Sequence, residues 1–155
     1  EEKEEKEEKK RWGNGDARIT EVIMLDNNDN RNNIFTTASH VKIQLKYHVN
    51  RMVNDAILGI GFFRVDGLQC YGTNTKIDQL DQIDLSKDGM LIVDIDQINL
   101  LPGKYWLDVA IEFDMNIPVD YYRQAYSFEI FSQIGDVGVA RMEHRWIMKA
   151  VSNDN

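Results

Sequence analysis

The chain has 155 residues, 43% hydrophobic and 10% aromatic, which fits one compact globular domain large enough to bury its own core. With 26 acidic against 18 basic residues the formal net charge is -8, which argues against nucleic acid or an anionic membrane as partner, because phosphate binding draws on clustered Lys and Arg. A mean hydropathy of -0.46 and the lack of any long apolar run exclude a membrane-spanning helix.

The first ten residues, EEKEEKEEKK, contain no apolar side chain and so supply neither a docking face nor a coiled-coil seam. Residues 1–10 are expected to be a solvated charged linker or leader, and 11–155 a single β-sandwich domain beginning at Arg11-Trp12-Gly13. No secretory signal is expected in this stretch.

From Gly13 onward the apolar period is two rather than 3.6. The predicted strands are 17–25, 40–50, 57–65, 68–74, 90–95, 104–113, 125–131 and a last one near 137–146. In the second, Val41, Ile43, Leu45, Tyr47 and Val49 form one face, opposite Lys42, Gln44, Lys46 and His48. The sixth alternates in the same way: Tyr105, Leu107, Val109 and Ile111 should face the core. Lys104, Trp106, Asp108, Ala110 and Glu112 should face water.

Turn signals separate these runs. The 27–30 stretch, Asn-Asn-Asp-Asn, and Asp66-Gly67 suit left-handed backbone, and Pro102-Gly103 fits a type II turn with positive φ at the glycine. Gly59 and Gly61, two apart in a strand, should mark a close approach to the backbone. The 78–86 segment is the one place with short helical character, with Leu80, Ile83 and Leu85 closing an end of the core. About eight short strands and almost no helix give an all-β, antiparallel β-sandwich.

Catalytic chemistry is largely missing. There is no GxSxG elbow, and nothing in the sequence ties His40, His48 or His144 to a carboxylate. Cys70 lacks an assignable base and cannot form an internal disulfide; it reads as a semi-buried strand residue, and a chain without disulfides fits a reducing compartment. No glycine-rich phosphate loop is present, and Asp26-x-Asn28-x-Asn30 fails as an EF-hand because Arg31 and Thr37 replace the required Gly and Glu. No catalytic residue, metal or cofactor is expected.

A binding surface suits the residues better. An aromatic ring beside carboxylates, amides and cations matches a sugar, whose C–H face stacks on the ring while its hydroxyls take hydrogen bonds. Trp106 and Asp108 share one outward face, and Gln44, Lys46 and His48 share another. An outward tryptophan would serve equally by covering a loop or facing a second copy.

Several ordered blocks resemble a known family. Arg11-Trp12-Gly13, GIGFFRVDG (59–67), CYGTNT (70–75), LLPGKYWLDVAIEF (100–113), DYYRQAYSFEIF (120–131) and GVARMEHRW (138–146) are similar to the C-terminal carbohydrate-binding domain of Wzt. Wzt is the nucleotide-binding subunit of ABC transporters that export O-antigen polysaccharide. The resemblance implies an immunoglobulin-like, jelly-roll-related sandwich whose final strand, 138–146, is exchanged in a homodimer about a hinge at 131–137. It implies a non-catalytic module that recognises the non-reducing terminus of the O-antigen and selects it for export. The alternative is a structural module that only holds two ATPase subunits together.

The expected setting is cytoplasmic, peripheral to the inner membrane through the transporter's ATPase domain and membrane subunit. No direct membrane insertion is expected, and no Walker motif is present here. Trp106, Asp108, His48, Lys46, Gln44 and Arg64 are the candidate carbohydrate-binding residues. Trp106 stands where the family pattern is small or polar, which puts it among the ligand-choosing positions, whereas Tyr71, Gly72, Thr73 and Asn74 read as shared architecture.

Overall fold

A computed structural model describes residues 10–114 and 116–152 of the chain. Of the prefix 1–10, expected to be a linker or leader, residues 1–9 lie outside the described residues.

Among the described residues nine strands run in chain order: β1 (Arg11–Trp12), β2 (Ala17–Leu25), β3 (Ile34–Thr36), β4 (Val41–Val49), β5 (Ala56–Arg64), β6 (Gln69–Asn74), β7 (Gly89–Ile95), β8 (Gly103–Phe113) and β9 (Ile117–Phe131). No helix is present among the described residues. Six strands form one sheet in the order β1-β9-β8-β5-β6, with β3 also paired to β9, and three form a second in the order β2-β4-β7. All neighbours are antiparallel except β3 and β9.

The alternation seen in the sequence decides which face is buried. Val41, Ile43 and Leu45 of β4, with Ile19 and Met24 of β2, meet Tyr105, Leu107, Val109 and Ile111 of β8 in one apolar core. Each of these side chains loses nearly all contact with water, and full burial of a large aliphatic residue contributes about 1.5–3 kcal/mol. Phe128 closes one end, stacked on Tyr105 at 5.5 Å and edge-on to Phe62 at 5.6 Å between ring centroids.

A polar clamp ties the two sheets and the chain entry together. Asp120 of β9, buried, accepts the Ile19 amide of β2 at 2.7 Å and pairs with the Arg11 guanidinium. That guanidinium also donates to the Ile19 carbonyl at 2.8 Å and lies 4.2 Å from the Tyr122 ring centroid. Just beyond, Gly13 has φ +144°, and a Cβ there would stand 2.2 Å from the Val119 carbonyl oxygen, so only glycine fits.

Several expectations need correction. β9 begins at Ile117 rather than Ala125, because Pro118, Asp120 and Gln124 interrupt the alternation that marks a strand in sequence. Residues 137–146 form no strand; one bridge, Leu100 to Ala140, holds this segment, and Val137 and Trp146 are 94% and 88% exposed. The 78–86 stretch is turn and extended chain without helix, since it is too short to nucleate one; Leu85 is buried there but Leu80 is exposed. Gly103 is not left-handed and instead opens β8, so the turn at Pro102 is not type II, whereas Gly67 does take the expected positive φ, 93°.

Candidate functional site

Register places Trp106, Asp108, Ala110 and Glu112 on the outer face of the larger sheet, opposite Phe63, Gly61, Gly59 and Ile57 of β5. Gly61 and Gly59 in turn face Gly72 and Asn74 of β6. Three glycines and an alanine in adjacent rows leave a shallow floor where most sheets would carry side chains. This is the close approach that the spacing of Gly59 and Gly61 predicts: a Cβ at Gly59 would sit 3.3 Å from the Asn74 Cβ, and one at Gly72 2.7 Å from the Gln69 amide nitrogen.

Above that floor lies a cleft of about 540 Å³. Tyr121 and Ile77 contribute apolar surface; Gln69, Thr73 and Asn74 contribute amides and a hydroxyl; Asp108 and Glu112 contribute carboxylates. The Tyr121 ring is itself stacked on Trp12 of β1, 4.5 Å between centroids and 10° from parallel. An aromatic platform beside a row of hydrogen-bonding groups is the chemistry a sugar ring requires.

Asp108 departs from the expectation that its face is wet. It is only 5% exposed and both oxygens are engaged: Oδ2 accepts the Tyr121 hydroxyl at 2.7 Å and Oδ1 the Gln124 amide at 2.8 Å. The cause is a bulge. Three residues of β9 between Tyr122 and Tyr126 stand opposite the single residue Asp108 between Leu107 and Val109 of β8, and Gln124 turns to φ +53° so that its N–H points at the carboxylate. Burial first, and the hydrogen bond to Asp108 second, push the Tyr121 phenol far above its ordinary value.

The six sequence-predicted site residues do not converge. Trp106 is half-buried on the same outer face as the cleft but lines two neighbouring hollows, of about 310 and 520 Å³, rather than the cleft itself. Arg64 lies at the end of β5 opposite Tyr105, its guanidinium turned onto Asp66, whose carboxyl it holds down to about 2. Gln44, Lys46 and His48 lie on β4, in the other sheet. A period-two pattern specifies which face a residue occupies but not which sheet, so these three were grouped with Trp106 without a common surface.

The histidines also differ from expectation, since two meet carboxylates distant in sequence. His48 contacts Asp88 at 2.9 Å, and this hydrogen bond raises the imidazole's proton affinity. His40 lies between Asn27 and Asp94, and with Asp96 it forms the one group among the described residues whose ligand atoms cluster within 4.8 Å. Cys70 is free and half-buried in β6, as expected.

Sequence reasoning missed Tyr121, Gln69 and Glu112, and assigned Tyr71 to Asn74 to architecture, although these four also line the cleft. The available signal was the GIG triplet, whose glycines fall on one face and leave room above them.

Among the described residues no helix is long and apolar enough to cross a membrane. A search for curated relatives by sequence finds none. Among solved structures, the chain is similar to a crystal structure of the C-terminal domain of Wzt, with a TM-score of 0.82 and 19% identity, covering 90% of this chain and 87% of that one; this likeness shows a common fold. The family model of the Wzt C-terminal domain matches residues 8–142, and the chain therefore belongs to that family.

Proposed function

We propose that this domain is a non-catalytic carbohydrate-binding module that takes the terminus of an O-antigen polysaccharide and selects it for export by an ABC transporter. The observation that carries the proposal is the glycine-floored cleft on the outer sheet face, walled by Tyr121 and edged by Gln69 and Asn74. A pyranose laid on the glycine rows can stack against Tyr121, and its hydroxyls can reach the amides. Trp106, farther along the same face, is suited to a following sugar. Each aromatic contact adds on the order of 1 kcal/mol beyond burial. An open cleft then supports micromolar to millimolar affinity, roughly -8 to -4 kcal/mol.

Titration of the polysaccharide from the same genome tests this. Wild type should bind saturably and Gly72→Val, which fills the floor, should not. Absence of wild-type binding refutes the proposal, and unchanged binding by Gly72→Val moves the site elsewhere.

A dimer by strand exchange is part of the same reading. It is supported by the 137–146 segment, which alternates like a strand yet lies exposed. Between the free edges of β6 and β7 there is also an apolar groove of about 440 Å³, including Ile60, Val93 and Ile95, which Ala140 already touches. A partner's segment added there would cover unpaired edge backbone. Two copies would present two clefts and gain avidity on a repeating glycan. In the full-length protein the module would sit beside the ATPase and membrane subunits, on the cytoplasmic side.

A further inference from the structure

The charge of the cleft restricts the glycan it can hold, an inference that rests on the carbohydrate-binding reading above. Among the residues lining it there are two carboxylates, Asp108 and Glu112, and no Lys, Arg or His. Asp108 is closed off by Tyr121 and Gln124. Glu112, half-buried at the rim, is engaged by no hydrogen bond or ion pair among the described residues. Both carboxylates are near enough to Tyr121 to raise its phenol further. Arg123, the cation whose charge acts against that rise, is exposed and does not line the cleft.

An anionic group entering this space would lose water without gaining a cationic partner and would meet two negative charges, an arrangement that is costly in a partly desolvated site. An ammonium would gain a charge-assisted hydrogen bond from the free Glu112. We propose that Glu112 makes the cleft a charge filter, which admits glycan termini that are neutral or carry a free amine and rejects those carrying phosphate, sulfate or uronate.

The test is an array of bacterial oligosaccharides in three classes, neutral, glucosamine-terminated and phosphate- or uronate-terminated, probed with the full chain at low and moderate salt. Neutral and amine-bearing glycans should be retained and anionic ones should not. Glu112→Gln should weaken the amine-bearing class roughly fivefold relative to the neutral class, the effect of one partly exposed charge pair. Glu112→Lys should admit the anionic class. Wild-type retention of phosphate- or uronate-terminated glycans at least as strong as that of neutral ones overturns the filter and leaves the carbohydrate-binding reading intact. An amine preference that Glu112→Gln does not alter also overturns it. Retention of no glycan at all removes the reading beneath it as well.

Discussion

The Tyr121 hydroxyl and the Asp108 carboxylate, 2.7 Å apart across the bulge of β9, fix the wall of the cleft. The bulge exposes the Gln124 amide, Asp108 satisfies it, and the remaining carboxylate oxygen holds the Tyr121 ring upright against Trp12. Tyr121→Phe keeps the ring but leaves that oxygen buried with one donor fewer. A loss of about 1–3 kcal/mol in denaturant unfolding is expected. An unchanged midpoint would mean that water replaces the hydroxyl without penalty.

Asp120 should matter more for stability and not at all for sugar chemistry. Asp120→Ala removes the acceptor of the Ile19 amide and the partner of Arg11. Charged hydrogen bonds of this kind contribute about 1.5–3 kcal/mol each, so thermal unfolding should fall by several degrees. A melting temperature equal to wild type would remove the clamp as a determinant of the fold.

The His48–Asp88 pair predicts a small pH dependence. The imidazole's proton affinity is raised, mainly by its hydrogen bond to Asp88, and that carboxyl's is lowered, mainly by His48. The pair's stabilisation is therefore present below the unfolded histidine value near 6.5 and declines as pH rises through the raised folded value. At the acid end it declines as pH falls below the unfolded aspartate value near 3.9, through the lowered one. NMR titration of His48 should give a midpoint above that of Asp88→Asn; equal midpoints would contradict the contact.

Deleting residues 138–155 tests the exchanged strand. Light scattering should report a monomer for the deletion and a dimer for the intact chain. A folded dimer without the segment would locate the interface elsewhere.

Some of this was legible without coordinates. Alternation in 41–49 and 104–113 dictates strands with an apolar face turned to the core, because successive side chains point to opposite sides. The GIG spacing likewise marks a close approach to the backbone. The β9 bulge was not legible, since nothing local in RQAY marks Gln124 as left-handed; its conformation is imposed by a carboxylate sixteen residues earlier.

By itself, then, the sequence determined an antiparallel sandwich, the inward faces of its strands and a family, all of which follow from local periodicity and ordered blocks. Tertiary structure decided which outward residues share a surface. It set Gln44, Lys46 and His48 on the opposite sheet from Trp106, buried Asp108, and brought Tyr121, Gln69 and Glu112 around the glycine floor. Sheet membership depends on long-range strand pairing, and a period of two carries no information about which strands will be neighbours.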